Sequence, residues 1–100
     1  MKYIFDIDDT ILKTKGHDYM GAVPIPGRIE FVNKLYDEGH YIMYYTARNT
    51  HTTKDWTAFT LWQLRHYGAK FHRLSTDKQH YDIWVDDKSM NSEDFFKKSY

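Results

Sequence analysis

One hundred residues is the length of one small domain, and 41% apolar residues with 18% aromatics supply one hydrophobic core. Fourteen basic and fourteen acidic residues leave a formal net charge of zero, so no broad basic field exists to draw the chain to nucleic acid. Disulfides and thiolate metal sites are excluded by the absence of cysteine, and no apolar run approaches the roughly 20 residues that cross a bilayer.

Near-neutrality at pH 7 removes charge repulsion between copies, and with the aromatic content it points to a homo-oligomer. The absence of cysteine, and a start at Met1-Lys2-Tyr3 without a signal-peptide pattern, point to a cytoplasmic protein. No internal repeat or linker is visible, so residues 1–100 read as a single domain.

In chain order, residues 2–7 form an apolar run with the length and composition of a buried strand. From Thr10 to Val23 the mixture of Gly16, His17, Asp18, Tyr19 and Gly21 reads as a loop or small flap. Pro24-Ile25-Pro26-Gly27 punctuates the chain before a helix over 27–38, with Ile29, Val32, Leu35 and Tyr36 on one side and Gly39 as its stop.

Residues 41–45, YIMYY, are almost wholly apolar and suit a strand buried on both faces of a parallel sheet. The next helix is expected over 53–67, with Thr52 as its cap and Asp55 three residues on, close to a capping box. Its apolar surface is read as Trp56, Phe59, Leu61, Leu64 and Tyr67. The aromatics Trp56, Phe59 and Trp62 are assigned to the core or to a subunit interface. A weaker strand is expected over 70–74, another over 81–85, and a short helix over 93–98.

Alternating strands and helices imply right-handed crossovers and a mostly parallel central sheet, an α/β Rossmann-like three-layer sandwich. Ligands bind beyond the carboxyl ends of such strands. Polar clusters fall at those ends: Asp6, Asp8 and Asp9 after the first strand, Thr46 after the second, and Asp86-Asp87 after the last. Three carboxylates within four residues repel one another, and a divalent cation with oxygen ligands is the simplest compensator. Two acids, a hydroxyl, a lysine (Lys78) and a further acid pair make a charge set suited to a phosphoryl group.

The run Asp6-Ile7-Asp8-Asp9-Thr10 after an apolar strand resembles the first motif, DxDx(T/V), of the haloacid dehalogenase (HAD) superfamily. Thr46 resembles its second motif, Lys78 its third, and Asp86-Asp87 its fourth. The resemblance covers essentially the whole chain. It implies a magnesium-dependent phosphomonoesterase working through an aspartyl-phosphate.

By matched position, Asp6 would be nucleophile and magnesium ligand, and Asp8 general acid/base with its backbone carbonyl on the metal. Thr46, with its neighbours Ala47 and Arg48, would bind substrate, and Lys78 would balance the phosphoryl charge. Asp86 and Asp87 would complete the metal shell. Asp9 stands where many members have glycine, and Gln79 where close relatives often have proline. Asp9 is left without a task, its side chain directed away from the metal.

The segments between motifs are too short for an inserted cap domain. The favoured substrate is a small phosphorylated metabolite such as a sugar phosphate or nucleotide. Two alternatives stay open: a phosphatase for nucleic-acid or other macromolecular phosphate ends, and a non-enzymatic phospho-acceptor. Arg48 is open between a substrate contact and a surface position, and His17, Asp18 and Tyr19 between leaving-group contacts and an exposed loop tip.

Overall fold

The computed structural model describes residues 1–51, 54–76, 83–85 and 95–96 of the chain. Among the described residues there are six strands: β1 (Lys2–Asp6), β2 (Leu12–Lys13), β3 (Val23–Pro24), β4 (Tyr41–Tyr45), β5 (Arg73–Ser75) and β6 (Ile83–Val85). The helices α1 (Arg28–Asp37), α2 (Arg48–His51) and α3 (Thr57–His66) are interleaved with them. Four strands form one parallel sheet in the order β5-β4-β1-β6. The short pair β2 and β3 forms a separate antiparallel hairpin after β1. The fold is thus α/β with a parallel sheet, as the alternation of elements indicates.

The two inner strands carry the apolar runs. Ile4 and Phe5 in β1 and Ile42, Met43 and Tyr44 in β4 are at most 1% exposed. Side chains alternate across a strand, so these runs must be covered on both faces of the sheet. Tyr3, Phe5, Ile42 and Tyr44 join Ile29 and Val32 of α1, Leu64 of α3, Val85 and Phe96 in the main core. Ile4 and Met43 point to the opposite face, packed with Tyr45. Register is set pairwise along β1, with Phe5 opposite Tyr44 on one side and Val85 on the other.

Helix α1 lies close to its expected bounds. Gly39 closes it with φ 94°, and the Gly39 and His40 N–H groups return to the Tyr36 and Leu35 carbonyls. Helix α3 departs from expectation. It begins at Thr57 rather than residue 53, with Trp56 at its N-cap and no side-chain cap. Asn49 and Asp55 organise this start instead: Asn49 Oδ1 accepts the Trp56 N–H at 2.7 Å and Asp55 Oδ1 accepts the Thr57 N–H at 2.9 Å. The expected cap Thr52 lies outside the described residues.

The buried face of α3 also differs. Thr60, Gln63 and Leu64 face inward, whereas Trp62 is 56% exposed and stacks on His66. Strand β5 starts three residues later than expected. The segment before it is held by Asn33, which donates to the Gly68 carbonyl and accepts the Lys70 N–H. His72 then accepts the Ile42 N–H on Nδ1 and lies between the rings of Tyr36 and Tyr41, 4.7 Å from each. Among the described residues no helix is long and apolar enough to cross a membrane.

Candidate active site

The carboxyl end of β1 turns sharply. The Ile7 carbonyl accepts the N–H groups of Thr10, Ile11 and Leu12 at 3.0–3.2 Å, and the Asp9 N–H returns to the Leu12 carbonyl at 2.7 Å. Asp9 makes the turn with φ 63°, a left-handed conformation that favours glycine and that aspartate and asparagine tolerate best among other residues. The turn brings Asp8 back beside Asp6 at the sheet end. It sends Asp9 outward, where Oδ1 lies 3.8 Å from Lys13 Nζ in an exposed pair. Thr10 is fully buried: its carbonyl accepts Arg28 Nη1 at 2.9 Å, and its hydroxyl has no hydrogen-bond partner among the described residues.

A cavity of about 200 Å³ opens at this end of the sheet, walled by Asp6, Asp8, Gly16, His17, Tyr19, Ala47 and Arg48. Two catalytic candidates, Asp6 and Asp8, therefore share one cavity with two of the three substrate-binding candidates, Ala47 and Arg48. The third, Thr46, is buried at the end of β4 and is not part of the wall. Its N–H donates to the Ser75 carbonyl and its hydroxyl accepts the Arg48 N–H, both at 3.0 Å. Lys78, Asp86 and Asp87 lie outside the described residues.

Asp6 is half-buried, and its Oδ1 accepts the N–H of Ile7 at 3.0 Å. Asp8 is held by three donors. Arg48 Nε reaches Oδ2 at 3.0 Å, Arg48 Nη2 reaches Oδ1 at 2.8 Å, and the Thr14 hydroxyl donates to Oδ1 at 2.6 Å. A guanidinium fork on a carboxylate adds geometric specificity to charge attraction. The third guanidinium nitrogen, Nη1, donates to Gln63 Oε1 at 2.8 Å and Thr60 Oγ1 at 3.2 Å.

Arg48 is 0% exposed, so the surface alternative for it is excluded. Tyr19 is 2% exposed and its ring lies under the guanidinium, 4.6 Å from Cζ. It is no loop-tip residue, while His17 and Asp18 of the same flap are exposed. Burial, followed by the nearby Asp8 carboxylate, raises the Tyr19 phenol pKa, with Arg48 opposing.

Three residues absent from the sequence reading of the site contribute to it or hold it: Thr14, Thr60 and Gln63. One signal was legible. Thr60 and Gln63 are polar residues three apart on the same helical face as Leu64, in a helix otherwise rich in aromatics. An inward polar pair of this kind requires a buried partner.

A hard cation would find an oxygen donor in the Asp6 carboxylate. Both oxygens of Asp8 are already engaged, which leaves its backbone carbonyl as the route to a metal. Among the described residues no three His, Asp or Glu side chains gather as a ready-made metal set.

No protein-family model matches the chain, and no curated protein matches it. The fold is similar to that of a conserved protein from Bacteroides thetaiotaomicron whose structure has been solved. The TM-score is 0.72 at 17% identity, covering 100% of this chain and 92% of the other. At that identity the likeness establishes the fold alone: a small α/β domain built on a parallel sheet.

Proposed function

We propose that the chain is a magnesium-dependent phosphomonoesterase of the haloacid dehalogenase type, acting on a small phosphorylated metabolite such as a sugar phosphate or nucleotide. The observation that carries this reading is the pairing of Asp6 and Asp8 in one cavity, with Asp8 fixed by Arg48 and Asp6 at the strand end. Two carboxylates two residues apart with such different partners suit two different roles.

In this reading an Asp6 carboxylate oxygen attacks phosphorus, the bond to the leaving oxygen breaks, and Asp8 delivers a proton to that oxygen. Asp8 then takes a proton from water as the water oxygen attacks the aspartyl-phosphate. The bond between phosphorus and Asp6 breaks, inorganic phosphate leaves, and both carboxyl groups return to their starting states. Ala47 and Arg48 lie beside the phosphoryl group, Thr46 supports them from behind through the Arg48 N–H, and Lys78 balances the phosphoryl charge. Asp6, the Asp8 backbone carbonyl, Asp86 and Asp87 would hold magnesium, which would supply charge neutralisation at the phosphoryl oxygens.

The fold in this reading is a three-layer sandwich without a cap domain, and the flap over residues 14–22 supplies one wall of the cavity. We further propose a cytoplasmic homo-oligomer, and light scattering of the purified protein tests the oligomeric state.

The decisive experiment is a phosphate-ester panel, including sugar phosphates, mononucleotides and 3′-phosphorylated oligonucleotides, with magnesium and with EDTA. Magnesium-dependent turnover lost on Asp6→Asn with the fold intact is the expected result. Turnover by Asp6→Asn would remove the nucleophile assignment, and no turnover of any ester would favour the phospho-acceptor alternative.

A further inference from the structure

The Arg48 guanidinium has two working edges. Nε and Nη2 meet Asp8, while Nη1 faces α3 and donates to Gln63 Oε1 at 2.8 Å and Thr60 Oγ1 at 3.2 Å. A planar fork can rotate about its long side chain unless both edges are occupied. Thr60 and Gln63 are 0% and 2% exposed, so water does not compete for Nη1. The amide of Gln63 is used at both ends: Nε2 donates to the Tyr19 carbonyl at 2.9 Å. One side chain therefore ties the guanidinium to the flap whose Tyr19 ring underlies it.

We propose that Gln63 is a positioning residue: it holds Arg48 so that the opposite edge grips Asp8, and it anchors the flap wall at Tyr19. The inference rests on the phosphomonoesterase reading above, in which Asp8 exchanges the proton. Gln63 touches neither Asp8 nor the cavity. It acts through Arg48, and its effect falls on both steps in which Asp8 moves a proton, the first of which, protonation of the leaving oxygen, depends on the ester used.

The test compares phenyl phosphate with para-nitrophenyl phosphate, two esters of similar shape whose leaving groups differ in their need for a proton. Gln63→Met keeps length and volume while removing both hydrogen bonds. Misaligning a reacting group by a fraction of its bond length weakens catalysis by roughly 10- to 100-fold. A loss of that size in kcat/KM, which reports on the steps through leaving-group departure, is expected on phenyl phosphate, against less than about 5-fold on para-nitrophenyl phosphate. In parallel, solvent exchange of the Arg48 Nε–H, followed by NMR, is expected to quicken by roughly 10-fold or more as the clamp opens more often.

Equal losses on the two esters, or unchanged Arg48 Nε–H exchange in a folded variant, would overturn the proposal. If the wild-type protein hydrolyses neither these esters nor any member of the phosphate panel, the enzymatic reading falls, and the exchange measurement alone decides whether Gln63 holds Arg48. Should Gln63→Met fail to fold, Thr60→Val removes the other acceptor of Nη1 and is read in the same two ways, with a smaller effect expected.

Discussion

Arg48 and Asp8 stand 40 residues apart in the chain, yet they are joined by two hydrogen bonds of 3.0 and 2.8 Å along one edge of the guanidinium. The arginine is wholly buried and the Asp8 side chain is 25% exposed. Removing one partner of such a pair leaves the other charge without compensation in a low-dielectric setting.

Arg48→Met is expected to destabilise the fold by about 3 kcal/mol, the low end for a buried pair because water reaches Asp8. Urea denaturation of the two single variants and the Arg48→Met/Asp8→Asn double variant gives the coupling. A coupling below about 0.5 kcal/mol would mean that the two residues stabilise the fold independently.

Asp8→Asn is also expected to slow ester hydrolysis by roughly 10²–10⁴-fold, the usual worth of a placed proton donor and acceptor. Asn keeps the size and one acceptor for Arg48, so a folded but slow enzyme separates proton transfer from architecture. Steady-state kinetics on a phosphate ester that the wild type hydrolyses provides the check.

At Asp9 the backbone sets the outcome. With φ 63°, a β-branched side chain meets the left-handed penalty, so Asp9→Val is expected to lose roughly 1–2 kcal/mol. Asp9→Gly is expected to stay within about 1 kcal/mol of wild type, since strain relief offsets the added freedom of the unfolded chain. Equal stability of the two variants, measured by urea midpoint, would count against the turn geometry.

The start of α3 carries a pH dependence. Hydrogen bonds from Thr57, first from its backbone N–H and then from its hydroxyl, lower the Asp55 pKa below its ordinary range, with Asn49 adding to them. A carboxyl group with a depressed folded pKa contributes its stability above the unfolded value and loses it as pH falls through the folded one. The Thr57 amide should therefore exchange more freely with solvent below about pH 4, once intrinsic exchange is allowed for. Asp55→Ala should abolish that step.

Trp62 marks a limit of periodic reading. Its side chain is 56% exposed, so Trp62→Lys is expected to change stability by less than about 0.5 kcal/mol. A loss of several kcal/mol in thermal or chemical denaturation would favour the core over the subunit interface, the two roles read for it from the sequence.

The parallel sheet was legible because β1 and β4 are buried on both faces, and their apolar runs show it directly. The turn after Asp6 was legible in its acids but not in its φ at Asp9, which depends on the loop closing back on Leu12. The inward face of α3 was not legible. An apolar-stripe reading assumes that aromatics turn inward, whereas here Thr60 and Gln63 do so to satisfy Arg48. That arginine is buried only because Asp8, Thr60, Gln63 and the Tyr19 ring converge on it from separate segments, and no local pattern announces such a meeting. Asp6 and Asp8 could be placed at a strand end from spacing alone, whereas the clamp that distinguishes them required the assembled chain.

Strand β1 lies between β4 and β6, and both partners come later in the sequence. During synthesis Tyr3, Ile4 and Phe5 must wait for Ile42, Met43 and Tyr44, and then for Ile83 to Val85, before either edge is closed. Pairings so distant along the chain slow folding, and an apolar strand with open edges invites association while it waits. The segment that presents Asp6 is thus also the one most exposed to misassembly in a partly made chain, and chaperone capture of nascent chains should centre on it.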